Sequence, residues 1–134
     1  MIRIGFIVSF LLMLLIMLSI PSFCFSSQVF NLSNLPSEPE QAISRVSQWK
    51  NSGQLELIPR PPATLVLVAP QFWRKLSIPE KAGVIRDCLY FGRAYNNQNT
   101  TGNNNCSFIL FNRKNPAEEL GWGNLIPGDI IIFK

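Results

Sequence analysis

Cys88 and Cys106 are the residues of this chain whose type most readily does chemistry, and for two thiols in an oxidising compartment that chemistry is pairing. A bridge between them would close a loop of about 18 residues, worth roughly 3 kcal/mol by the loop-closure argument. Thiol catalysis needs a base instead, and the chain contains no histidine. This removes the commonest general base near neutral pH and the commonest transition-metal ligand. Neither a Cys-His nor a Ser-His hydrolase can be built from this chain alone. Zinc would have to rest on cysteines and carboxylates that show no paired spacing, so no metal site is expected. The side chains of the adjacent Glu118 and Glu119 diverge, and Glu56, Asp87 and Asp129 are dispersed, as on a solvated surface rather than in an acid–base pair. Ser77 and Lys81 read as a helix cap and a snorkelling side chain. With no glycine-rich phosphate loop either, no residue is assigned a catalytic role and no cofactor is expected.

Recognition chemistry is the alternative. Trp, Tyr and Arg supply most of the binding energy in interfaces, and Phe72, Trp73, Arg74 and Lys75 form one cluster of such residues, with Trp122 flanked by two glycines as a second. Adjacent Phe72 and Trp73 cannot both point inward from a regular helix, so these five residues are the candidate binding surface. The net charge of +4, about +3 once Arg3 is removed, is spread thinly over the chain, without the basic stripe that a nucleic-acid binder needs. Asn31-Leu32-Ser33, Asn99-Thr100-Thr101 and Asn105-Cys106-Ser107 fit the glycosylation pattern, a frequency expected by chance in an Asn-rich chain.

Asn105-Cys106-Ser107, followed by Leu125 to Phe133 with its Pro127-Gly128-Asp129, resembles fragments of the NlpC/P60 and CHAP cell-wall peptidases, in which a cysteine nucleophile precedes a Pro-Gly-Asp turn into a strand. The match covers about a dozen residues. It departs from those families in lacking a histidine and in placing Cys106 at the start of a predicted strand rather than on a helix, so no functional residue is carried over.

The first 26 residues set the address. Arg3 precedes an uncharged apolar run from Ile4 to Ile20 that ends at Pro21, the form of an export signal. Small residues at Cys24 and Ser26 suit cleavage before Ser27. Retention as an uncleaved membrane anchor is the second fate, since the run is near the lower limit for a span. Lipid attachment at Cys24 is disfavoured by the bulky Phe23. The expected location is extracytoplasmic, periplasmic or secreted, with membrane contact only through residues 1–26 if they are retained.

Residues 27–36 are polar and unpatterned and read as a tether. Ser37-Glu38-Pro39-Glu40 has the form of a capping box opening a first helix, with Ala42, Ile43, Val46 and Trp49 on one stripe and Gly53 at its end. Gln54 to Ile58 suits an edge strand before three prolines. Thr64 to Ala69 is continuously apolar, as in a strand buried on both faces, and is expected to be the central one. Ser77-Ile78-Pro79-Glu80 repeats the capping box and starts the principal helix, with Ile78, Ala82, Ile85, Leu89 and Gly92 on one side. Residues 96–105 read as a mobile Asn-rich loop, 106–111 as a strand, Asn115 to Glu118 as a helix start, and 130–133 as a last strand.

The fold expected is α+β: a small two-layer sandwich in one domain over 37–134, three to four strands with a parallel β-α-β crossover and two principal helices. The function expected is that of an exported, non-catalytic binding module for another protein or an envelope component. Two alternatives are a cell-envelope hydrolase or transferase using Cys106 or carboxylates, and a membrane-anchored accessory subunit.

Overall fold

The structure is a computed structural model describing residues 27–60, 63–98 and 106–133. The leader and residues 99–105 of the Asn-rich segment lie outside the described residues. In chain order the elements are β1 (Ser27–Asn31), a 3-10 turn (Leu32–Asn34), α1 (Pro39–Asn51), β2 (Leu55–Arg60), β3 (Ala63–Val68), α2 (Pro70–Arg74), α3 (Ile78–Gln98), β4 (Ser107–Asn112), β5 (Asn115–Asn124) and β6 (Asp129–Phe133).

The strands form one mixed sheet in the order β1-β6-β5-β4-β3-β2. β3 and β4 run parallel, joined through α2 and α3, and every other neighbouring pair is antiparallel. The expectation of three to four strands and two helices is therefore corrected to six strands and three helices among the described residues. The two unforeseen strands come from segments whose local pattern is weak. Ser27–Asn31, taken for a tether, is held as β1 by register with Asp129–Phe133, which places Val29 opposite Ile131. Asn115 to Glu118, taken for a helix start, opens β5, which pairs with β4 across a register shift at Phe111. In both segments the neighbouring strand supplies backbone partners that local propensity does not foretell. The principal helix runs on to Gln98, three residues into the segment read as a loop.

Both long helices lie on one face of the sheet. α3 crosses β4, β5 and β6, while α1 packs on α3 and against β2. The core between the layers contains Val46 from α1, Ile85, Cys88 and Leu89 from α3, and Val66, Val68, Phe108, Leu110, Ile130 and Ile132 from the sheet. Ala82, Ile85, Leu89 and Gly92 form the stripe that rests there, buried as their helical spacing requires.

Helix ends follow local chemistry with one exception. The second capping box is formed: the Ser77 amide donates to Glu80 Oε1 and the Glu80 amide to Ser77 Oγ, each at 3.3 Å. α1 ends at Gly53, whose φ of +78° is the left-handed conformation that glycine adopts without steric penalty. The first capping box does not form, because Glu38 is the N-cap residue and Ser37 Oγ accepts from Arg45 Nη2 at 2.8 Å instead.

Candidate functional site

The sheet face away from the helices carries no element of the described chain. Alternation along each strand assigns its residues, and the strand registers align them into rows. One row crosses all six strands without a polar residue: Ile58, Leu65, Ile109, Trp122, Ile131 and Val29. Val29, at the end of the row, is 65% exposed, the most exposed large apolar side chain among the described residues. On one side of this row Leu67 and Phe111 continue the apolar surface, bordered by Glu56 and Glu119. On the other side lie Ala63 and Ser107, with Arg60 beyond them on β2. Trp122 sits in the middle, over a depression of about 400 Å³ that is also lined by Ala63, Ser107, Ile109, Glu119 and Asn124.

Gly121 and Gly123 turn Trp122 toward this face and keep the opposite one flat. A Cβ at Gly121 would stand 2.6 Å from the Ile131 carbonyl oxygen and 3.2 Å from Ile85 Cδ1, and one at Gly123 would stand 2.6 Å from Ile85 Cγ2. α3 therefore lies directly on the β5 backbone. Trp122 is fixed in a strand, not carried on the flexible segment that its glycine neighbours suggest.

The five candidate binding residues do not form one surface. Trp73 is 5% exposed and belongs to the core, with Lys81 Nζ 5.4 Å from its ring centroid. Phe72 packs on Trp49 of α1 at 5.7 Å between centroids. Arg74 and Lys75 are exposed, but they extend from the helical layer while Trp122 projects from the opposite face of the sheet. Of the five, Trp122 alone lies on the open face.

Sequence reasoning missed the row around Trp122, although its signal is present. Leu65-Val66-Leu67-Val68, Phe108-Ile109-Leu110-Phe111 and Ile130-Ile131-Ile132-Phe133 are all continuously apolar, the pattern of strands covered on both sides. Two helices on one face leave the other half of those side chains without a cover.

A second unforeseen cluster joins α1 to α3. Asp87, 1% exposed, accepts from Arg45 Nε at 2.6 Å and Arg45 Nη2 at 2.9 Å, and from Arg86 Nε at 3.0 Å. The hydrogen bonds to Asp87 hold the Arg45 guanidinium above its ordinary pKa. Its sequence signal was an aspartate beside Val84 and Phe91 at the border of the apolar arc, a position that demands a cationic partner. With all three bonds directed at one carboxylate, this cluster fastens helices rather than presenting a reactive group.

Cys88 and Cys106 are both buried and both free thiols in the structure. The Cys106 thiol donates to the Leu89 carbonyl at 3.6 Å and lies over Gly92, so it rests on the helix one residue along from Cys88. Burial raises the Cys106 thiol to about 11, with the positive Arg93 pulling weakly the other way, and burial likewise raises Cys88. A thiol held protonated at neutral pH is a poor nucleophile. Among the described residues no group of three His, Cys, Asp or Glu side chains converges as a metal site would require, and no helix is long and apolar enough to cross a membrane.

Comparison with known proteins returned no matching family model, no matching curated protein and no matching solved structure.

Proposed function

We propose that this chain is a non-catalytic binding module, directed out of the cytoplasm by its apolar leader, and that it binds through the open sheet face centred on Trp122. The observation that carries this is the unbroken row from Ile58 to Val29 on a face that no element of the described chain covers. Continuous apolar patches on folded domains mark interaction surfaces, and a tryptophan at the centre with polar residues at the margin matches the anatomy of a recognition patch. The version of a hydrolase or transferase that would use Cys106 is opposed by burial, which keeps both thiols protonated at neutral pH. In the oxidising compartment to which the leader points, the two thiols pair instead, close to where Cys106 already meets the helix.

Photo-crosslinking tests the surface. A photoreactive residue replacing Ile109 or Leu65 is expected to yield covalent adducts in the protein's native surroundings, whereas the same residue replacing the exposed Gln48 on the helical layer yields none. Equal yields from the two layers, or no adduct from Ile109 and Leu65, would overturn the proposal.

A further inference from the structure

The open face carries its own complement, and from it we infer that the partner is a second copy of this chain, stacked sheet to sheet about a two-fold axis running along the middle row. This inference rests on the open face being the binding surface. Rotation by 180° about that axis lays each strand over its own counterpart, reversed in direction, and exchanges the rows on either side. Residues four apart on one strand therefore meet.

On β2, β3 and β4 the exchange matches the residue types. On β2 the exchanged positions are Glu56 and Arg60, so each carboxylate meets one guanidinium and the pair occurs twice per dimer. Both side chains are exposed, and neither forms an ion pair among the described residues; Arg60 Nη1 donates only to the neighbouring Pro59 carbonyl, at 3.1 Å. On β3 Leu67 meets Ala63, and on β4 Phe111 meets Ser107, large against small in each case. Such alternation lets the inner faces of two sheets interdigitate about 10 Å apart, with strands aligned within about 30°. Along the axis the apolar row meets itself, Trp122 on Trp122. No like charges are brought together on β2, β3 or β4, the strands where the exchange is read.

The area suffices. Six strands about 4.8 Å apart and three rows about 6.8 Å apart give a face of roughly 580 Å². Two such faces bury on the order of 1,200 Å², the lower end of the range for specific, stable interfaces. A reversible, concentration-dependent dimer is the expected state, and its isologous symmetry is the commonest among oligomers.

Sedimentation equilibrium over a concentration series tests this, using protein expressed from the entire 134-residue sequence and recovered as the cell processes it. The parent is expected to double in mass with rising concentration. Glu56→Arg and Arg60→Glu each set like charges against each other at both symmetry-related contacts and are expected to weaken association about tenfold or more. The double variant restores opposite charges and is expected to recover parental association. Because both positions are on the surface of an edge strand, unchanged far-UV circular dichroism and thermal unfolding identify any variant that has lost its fold.

A monomer at every concentration overturns the inference, as does a dimer indifferent to the charge swaps. Crosslinking at Ile109 then separates the two levels. An adduct with a different molecule leaves the open face as the binding surface and removes only self-association, while no adduct removes both.

Discussion

Gly121 and Gly123 are strand residues without side chains in a strand that must pass directly beneath a helix. Their hydrogens let Ile85 and Leu89 reach the β5 backbone, and the space saved on that face fixes Trp122 on the other. Gly121 is the less replaceable of the two, because its nearest obstacle is the Ile131 carbonyl oxygen, a backbone atom that cannot rotate away. Gly121→Ala is expected to lose about 1 to 3 kcal/mol of stability in urea unfolding, the range for overfilling a packed core. The buried thiols make a pH-dependent contribution at the same scale. Cys106 titrates at about 11 when folded, against an ordinary value of 9.0. Between those values the unfolded chain releases a proton that the folded chain keeps, so stability falls as pH rises through this window and is unaffected below it. For the reduced protein the fall is expected to reach about 2 kcal/mol at pH 11 from this thiol, less in Cys106→Ala. In a form with Cys88 and Cys106 paired, the thiol contribution would be absent at every pH. Unfolding curves at pH 8 and pH 11, with and without reductant, check both outcomes.

Of the two long helices, α1 is the less secured by the sheet, since its main strand contact is with β2 and it packs chiefly on α3. The bidentate contact from Arg45 to both Asp87 oxygens holds it there, with Arg86 Nε donating to Oδ1 beside Arg45 Nη2. Removing Arg45 leaves a buried carboxylate with one partner in place of two. Arg45→Met keeps most of the apolar stem and is expected to cost about 2 kcal/mol, a figure below that for a fully buried pair because the Arg45 side chain remains about one third exposed. Amide exchange should then accelerate in α1 before it does in α3. An Arg45→Met variant as stable as the parent would show that apolar packing alone holds the helix. The elements differ equally in how far their sequences foretell them. α3 declares itself through Ser77, Glu80 and a five-residue stripe, and α1 through its stripe and Gly53. β1 and the first half of β5 declare nothing, because Ser27–Asn31 and Asn115–Glu119 hold too few apolar residues for a period to show and become strands only when β6 and β4 offer hydrogen-bonding partners.

For the whole molecule, one layer of helices on a six-stranded sheet leaves an apolar face for which the described chain has no cover. The continuous apolar runs in β3, β4 and β6 were legible as strands, and only that of β3 was read as a strand covered on both faces. The expected recognition residues were divided between the α2 turn and Trp122, and the structure places them on opposite sides of the sheet. Trp73 is drawn into the core there, because α2 packs its buried side inward and leaves Arg74 and Lys75 outside. Composition and local spacing by themselves determined the absence of histidine chemistry, the uncharged apolar run from Ile4 to Ile20, the capped start of α3, the glycine end of α1, and the identity of four of the six strands among the described residues. These depend on residues within one or two turns of one another, where elementary stereochemistry decides. Tertiary structure alone decided that β1 and β5 complete the sheet, that Asp87 clamps Arg45 across 42 residues of chain, and that six apolar side chains from six strands fall into one row. Registers between distant segments are chosen by the summed pairing and packing of the whole sheet, a quantity that no local window contains.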